Sequence, residues 1–103
     1  MKTDKKLVRD KIPEIIKADG RKPVTRILDD KEYLSELIEK LKEETEELET
    51  DLTVEELADI QEVLFAILDV FKSNREELEK VRQKKAKERG TFKKRIYLGK
   101  VEK

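Results

Sequence analysis

Two pairs of acidic residues lie close together in the middle of the chain. Glu44 and Glu47 form the first pair, and Glu56 and Asp59 form the second. The members of each pair are three positions apart, which places them on one side of a helix. Carboxylate oxygens are the ligands that Mg²⁺ and Mn²⁺ prefer in proteins, so this spacing is typical of a site for a hard divalent cation.

The composition narrows the chemistry that such a site can use. The chain has no His and no Cys, which excludes a disulfide framework and a thiolate metal site. Its chemistry must therefore depend on carboxylates, lysines, arginines or a bound metal. We find no signal peptide and no apolar run of about 20 residues that could span a bilayer, so we expect a cytoplasmic protein without membrane contact.

Charge is distributed unevenly along the chain, although the net charge is zero. Residues 29–79 carry 19 acids and 5 bases, whereas residues 80–103 carry 11 bases and 2 acids. An acidic middle with basic ends suits a metal-bound polyphosphate, because carboxylates hold the cation and basic groups meet the phosphates. The alternative is a solvated helical surface, which is the commoner reason for exposed charge.

The elements that must position the acids are two long helices. Apolar residues recur at helical intervals over residues 30–49 and again over residues 54–71. The connection between them is short, so the two helices must be antiparallel. At about 100° per residue, Glu44 lies at the edge of one apolar stripe and Glu56 lies within the other. A carboxylate among apolar positions is costly unless it is paired or binds a metal.

Two structural alternatives explain the same acids without a metal. Thr53 and Glu56 have the spacing of a capping box, in which Glu56 would only close the start of the second helix. Glu44 and Glu47 would then pair with lysines on the surface.

Shorter elements are expected on both sides of these helices. Residues 10–20 predict a short helix with Asp10 as its N-cap and Gly20 at its end, and residues 73–90 predict a third long helix. Residues 23–28 and 95–98 have strand character and are expected to form a minor two-stranded pairing. The fold class is therefore an all-α helical bundle in a single domain over residues 1–103.

The apolar content of 36% is low for a monomer of this size, because small domains bury proportionately less of their surface. The apolar arc of the second long helix is also wider than one partner helix can cover. We therefore expect a homo-oligomer, with a dimer favoured over a tetramer.

The order of the acids resembles that of a known enzyme superfamily. The pattern E-E-x-x-E (Glu43, Glu44 and Glu47) followed by E-x-x-D (Glu56 and Asp59) is similar to that of the MazG-like all-α nucleoside triphosphate pyrophosphohydrolases. The opening KLVRDKIPEII and the closing KERGTFKKRIYL resemble its phosphoribosyl-ATP pyrophosphohydrolase-like branch, so the resemblance covers nearly the whole chain. The gap between the two motifs is shorter than is usual, and the third long helix lacks the asparagine with which many relatives contact the base.

The resemblance implies a Mg²⁺-dependent hydrolase, with Mn²⁺ as a substitute. Its catalytic and metal-binding residues would be Glu44, Glu47, Glu56 and Asp59. The reaction would cleave a nucleotide substrate between the α- and β-phosphates to give a monophosphate and pyrophosphate, as in house-cleaning of nucleotide pools. The bound cation would neutralise phosphate oxygens and acidify a water molecule. One carboxylate would accept the proton of that water, and Glu47 is a candidate for this role.

Basic residues near both ends are candidates for binding the phosphates. Lys85 and Arg89 match the K-x-x-x-R-G-x-F ending of this branch, and the N-terminal segment adds Lys6, Arg9 and Lys11. Multidentate phosphate binding requires such cations. The alternative for each of them is a solvated surface charge.

Two other functions are consistent with the sequence. The first is a non-catalytic helical interaction or regulatory module derived from the same fold. The second is nucleic-acid binding through the basic C-terminal segment, where Phe92 and Tyr97 could stack on bases. The acidic helices would repel a phosphate backbone, so we expect no nucleic-acid partner.

Overall fold

The computed structural model describes residues 5–103, and the described part of the chain is all-α. Four helices follow one another along the chain: α1 Ile12–Ala18, α2 Asp30–Thr50, α3 Val54–Val70 and α4 Arg75–Arg89. The predicted all-α fold class is confirmed. The chain divides into two compact units, one extending to Lys72 with α1, α2 and α3, and the other, Ser73–Lys103, with α4. None of these helices is long and apolar enough to cross a membrane.

Polar side chains fix the starts of the three longer helices. The N–H of Glu32 donates to Asp29 at 2.8 Å, and the N–H of Glu77 donates to Asn74 at 2.8 Å. Each bond satisfies one of the backbone donors that a helix leaves without an internal partner. The observed bounds agree with the predicted ones to within two residues.

The start of α1 differs from the prediction, because Lys11 and not Asp10 is its N-cap residue, with no side-chain capping bond. An N-cap side chain accepts from the second or third N–H of its helix. Counting from Asp10, the third position is Pro13, which has no N–H. The N–H at the second position, that of Ile12, donates to the carbonyl oxygen of Arg9 at 3.1 Å instead. The predicted end of α1 is confirmed, since Gly20 follows it with a φ of +80°, a value that favours glycine.

The helical hairpin of α2 and α3 is the packed part of the first unit. Only residues 51–53 connect these helices, so α3 folds back along α2. Leu37 of α2 is 3% exposed and Val63 of α3 is 7% exposed, and they are the two buried apolar residues of the described chain. The core is therefore small, and every other group that the hairpin buries matters more.

The predicted pairing of residues 23–28 with residues 95–98 is wrong, because the described residues form no strand. Both segments are irregular, and Val24, Ile27, Ile96 and Tyr97 are each more than four-fifths exposed. Strand propensity reflects how well a side chain packs on a half-buried pleated surface, and an isolated two-stranded pair is only marginally stable. Neither segment has such a surface to pack against.

One side of α3 keeps large apolar side chains in contact with solvent. Leu57 and Leu64 of α3, and Phe71 directly after its last residue, recur every seven residues and are 54%, 39% and 67% exposed. Seven residues are close to two helical turns, so the three side chains lie in one stripe. We interpret this row of exposed apolar side chains as a surface that a second copy of the chain can cover.

We expect this stripe to hold two copies of the chain together at micromolar concentration. Light scattering should then give twice the 12.2 kDa of the single chain. Leu64→Glu should shift the mass to that of the monomer, because it places a charge within the stripe. Val24→Glu is the matched control, since Val24 is 91% exposed in an irregular segment, and it should leave the mass unchanged. A wild-type monomer at every concentration would contradict the prediction.

Candidate metal centre

Three of the four predicted metal ligands converge where α2 and α3 pack together. Glu44 lies near the end of α2, and Glu56 and Asp59 lie in the first turns of α3. One carboxylate oxygen from each residue lies within 4.8 Å of the other two. The short connection between the helices brings these acids together, because the end of one helix must face the start of the next. We call Glu44, Glu56 and Asp59 the acidic triad.

Burial distinguishes this triad from an ordinary acidic surface. Glu44 is 6% exposed and is the one buried charged residue in the described chain. The Oε2 atoms of Glu44 and Glu56 are buried, and neither has a hydrogen-bond partner among residues 5–103. A buried carboxylate oxygen without a partner is costly, and it fits a position that a cation would occupy. The donor set of three carboxylates fits a hard cation such as Mg²⁺ or Mn²⁺.

The way in which Thr53 caps α3 leaves the carboxylate of Glu56 beside those of Glu44 and Asp59. The N–H of Glu56 donates to the Thr53 hydroxyl at 3.2 Å, so Thr53 caps α3, as the capping-box alternative required of this residue. In a full capping box the Glu56 carboxylate would accept the N–H of Thr53. That N–H donates to the carbonyl oxygen of Asp51 at 2.9 Å instead. Thr53 is therefore the cap, and the Glu56 carboxylate is not needed for it.

Two basic residues pair with the triad from different parts of the chain. Lys40, one turn before Glu44 on α2, places its Nζ 3.3 Å from a carboxylate oxygen of Glu44. Arg9, in the segment before α1, places its Nη2 2.6 Å from Oδ1 of Asp59. Lys40 also lies 3.5 Å from Glu43, and its side chain is only 19% exposed. Within the described part of the chain the three carboxylates therefore have two cationic partners, and neither of these pairs with Glu56.

The surroundings of the triad raise the pKa values of two of its acids. Desolvation by burial raises the pKa of Glu44 above its ordinary value; Lys40 opposes this effect, and the charges of Glu47 and Asp59 add to it. Desolvation also raises the pKa of Glu56, and the charges of Asp59 and Glu44 raise it further. A divalent cation would reverse this balance, because it stabilises the ionised carboxylates that burial disfavours.

Glu47, the fourth predicted ligand, lies outside the triad. It is exposed to solvent, and it follows Glu44 by three residues on α2. Its charge nevertheless contributes to the raised pKa of Glu44, so it lies near the edge of the centre. The inward orientation predicted for Glu44 is confirmed, whereas the role of Glu47 as a ligand stays a prediction.

The predicted phosphate-binding residues fall into different parts of the molecule. Arg9 contacts the triad directly through Asp59. Lys6 lines an open cavity of about 420 Å³ together with Lys40 and Glu43, and Lys11 is exposed at the start of α1. Lys85 and Arg89 are exposed on α4 in the second unit, and their role stays a prediction from the sequence.

Lys40 is the residue of this centre that sequence reasoning did not single out. The sequence does contain a signal for the pairing of Lys40 with Glu44, because these residues are four positions apart on one helix and therefore lie on the same face. The same spacing is common among the many charged residues of α2. Only the burial of Glu44 shows that this pair differs from the exposed ones.

Comparison with known proteins finds one short region of similarity. No protein-family model matches the chain, and no solved structure matches it. Over 42 residues the chain is 60% identical to an uncharacterized protein of Mycolicibacterium smegmatis (strain ATCC 700084 / mc(2)155). The match covers 41% of this chain and 43% of that protein, so this chain spans less than half the length of the relative.

Glu56→Gln should raise the Tm of the metal-free protein by a few degrees at about pH 8, because it removes a charge that burial disfavours. The pKa of Glu56 is raised in the folded state, so its protonated form favours folding at low pH. This contribution is lost as the pH rises through the raised pKa. The gain in Tm should therefore shrink as the pH falls toward the ordinary pKa of Glu, about 4.3.

Thermal unfolding in EDTA, followed by circular dichroism, measures this difference across the pH range. Glu62→Gln is the matched control, because Glu62 is an exposed acid of α3 outside the triad, and it should change the Tm little. A Tm gain that is equal for both variants, or that grows toward acid pH, would be inconsistent with a buried charge at Glu56.

Proposed function

We propose that the protein is a Mg²⁺-dependent nucleoside triphosphate pyrophosphohydrolase of the MazG-like superfamily. The observation that supports this function is the acidic triad, with two buried carboxylate oxygens that lack hydrogen-bond partners among the described residues. The E-E-x-x-E and E-x-x-D motifs that carry the family resemblance supply all three of its members. The substrate would be a nucleoside triphosphate, cleaved between its α- and β-phosphates.

Each acid of the centre has a distinct part in this proposal. Glu44, Glu56 and Asp59 hold the cation, and the Lys40 ammonium keeps one oxygen of Glu44 turned toward its own side of the site. The Oε2 atoms of Glu44 and Glu56 would then be available to bind the cation. When bound, Mg²⁺ would neutralise phosphate oxygens and acidify a water molecule.

Glu47 is best suited to accept a proton from the attacking water. It is exposed, so water can reach it, and it is close enough to the triad to influence the pKa of Glu44. A general base must lie within hydrogen-bond reach of the proton that it removes, either directly or through one water. A position at the edge of the centre, and not within it, meets that requirement.

Pyrophosphate release should require Mg²⁺ or Mn²⁺ and should stop in EDTA. Glu56→Gln should reduce turnover by a factor of about 100 or more while the helical circular dichroism stays near wild type, because one ligand charge is lost and the Thr53 cap does not use this carboxylate. Glu62→Gln should retain the wild-type rate. A coupled assay for pyrophosphate, run across several nucleoside triphosphates, measures these rates.

The products distinguish this function from its alternatives. A monophosphate with pyrophosphate supports cleavage between the α- and β-phosphates, whereas a diphosphate with inorganic phosphate would contradict it. Metal binding without hydrolysis of any nucleotide would favour the non-catalytic interaction module. Full pyrophosphate release without any metal would exclude the proposed role of the triad.

Lys85→Ala combined with Arg89→Ala should raise KM or lower kcat by about tenfold or more, since a lost charge-assisted hydrogen bond costs about 1.5–3 kcal/mol. Both residues are exposed, and their i,i+4 spacing places them on one face of α4. Lys80→Ala combined with Lys84→Ala is the matched control, with the same spacing and the same loss of charge on another face. Equal effects of the two double variants would show that only the net charge of α4 matters.

A further inference from the structure

The contact of Arg9 with Asp59 joins two distant parts of the chain at the centre. The residues are 50 positions apart, and the guanidinium donates a hydrogen bond to Oδ1 of Asp59 at 2.6 Å. The carbonyl oxygen of Arg9 accepts the N–H of Ile12, so the backbone at Arg9 is tied to the start of α1. Arg9 therefore reaches the triad from a fixed point outside the helical hairpin.

The positive charge of Arg9 lies next to the position where a bound cation is needed. Asp59 offers an oxygen within 4.8 Å of oxygens from Glu44 and Glu56. A cation held by all three acids must share Asp59 with the guanidinium. Two positive groups on one carboxylate repel each other at short range, so cation and guanidinium compete for it.

Arg9 can leave the centre at lower cost than Lys40. The Arg9 side chain is 56% exposed, whereas the Lys40 side chain is 19% exposed and lies between Glu43 and Glu44. A released guanidinium would be solvated where it stands, whereas a released Lys40 would leave a buried ammonium without its partners. Of the two basic residues, Arg9 is therefore the one that can be displaced.

We propose that Arg9 is a phosphate-binding residue that Asp59 holds until the cation is bound. In the metal-free protein the guanidinium partly neutralises the triad. In the loaded protein Asp59 turns to the cation, and Arg9 is free to bind the phosphate oxygens of the substrate beside it. The planar guanidinium suits this role, because it can donate two parallel hydrogen bonds to a phosphate. The phosphate half of this inference rests on the proposed function, and the competition for Asp59 does not.

The competition is tested by titrating the protein with Mn²⁺ alone, using calorimetry. Arg9→Gln should bind Mn²⁺ about tenfold more tightly than wild type, because the competing charge is gone. Arg26→Gln is the matched control, since Arg26 is also exposed and forms a two-bond ion pair with Glu32. Glu32 lies twelve residues before Glu44 on α2, about 18 Å away along the helix, so this variant should keep the wild-type affinity.

The phosphate contact is tested by titrating the Mn²⁺-loaded proteins with inorganic pyrophosphate. Arg9→Gln should bind pyrophosphate about tenfold more weakly than wild type, since it loses a charge-assisted contact. Arg26→Gln should bind it as wild type does. In Arg9→Gln the affinity for Mn²⁺ must therefore rise while the affinity for pyrophosphate falls. A purely structural role of Arg9 would not produce these opposite changes.

Weaker or unchanged Mn²⁺ binding by Arg9→Gln would overturn the proposal, and so would unchanged pyrophosphate binding. If Arg9→Gln fails to fold, Arg9→Lys replaces it. That variant should keep wild-type Mn²⁺ affinity and still bind pyrophosphate more weakly, because an ammonium cannot donate two parallel bonds. Wild-type affinity of Arg9→Lys for both Mn²⁺ and pyrophosphate would also overturn the proposal. Failure of the wild type to bind Mn²⁺ would reject the proposed function itself, whereas the other outcomes leave metal-dependent hydrolysis intact.

Discussion

The structure of the hairpin depends on how it accommodates the buried carboxylate of Glu44. Burying an ionised carboxylate without adequate partners is one of the most costly events in folding. Lys40 pairs with one oxygen of Glu44, but the other oxygen has no partner in the described structure, and Glu56 buries a second such oxygen beside it. The buried apolar residues of the described chain are Leu37 and Val63, so apolar residues at both acidic positions would add to a small core. The acids therefore oppose stability unless a cation completes the centre.

The capping of α3 leaves one of these acids available for the centre. A capping box would have used the carboxylate of Glu56 to bond the N–H of Thr53, and the sequence fits that motif. Asp51 prevents this by accepting the N–H of Thr53 through its carbonyl oxygen. The tight connection therefore closes the helix start with backbone atoms and one hydroxyl. As a result, the side chain of Glu56, for which the sequence also allowed a capping role, points into the interface between α2 and α3.

Helical periodicity predicted the hairpin and the inward positions of Glu44 and Glu56, because an amphipathic stripe fixes which residues face a neighbouring helix. It did not predict whether Glu47 is buried or exposed. Glu47 lies about 60° further round the helix than Glu44, where a small rotation decides between burial and exposure. Periodicity also could not pair Arg9 with Asp59, since local pattern contains no information on contacts between residues 50 positions apart. The strand prediction failed for a related reason, because propensity does not supply a partner strand.

A cation at this centre would act on folding and on chemistry at once. Any ligand that binds the folded state alone stabilises it, and the ligand oxygens here come from two helices whose apolar contact is small. The cation would therefore complete the packing of α2 against α3 while it prepares the site for a phosphate. Arg9 supplies a partial substitute in its absence, since its charge reaches the carboxylate of Asp59 from outside the hairpin. The small core, the two unpaired oxygens of the described residues and the exposed arginine thus all bear on how this small fold accommodates a cluster of negative charge.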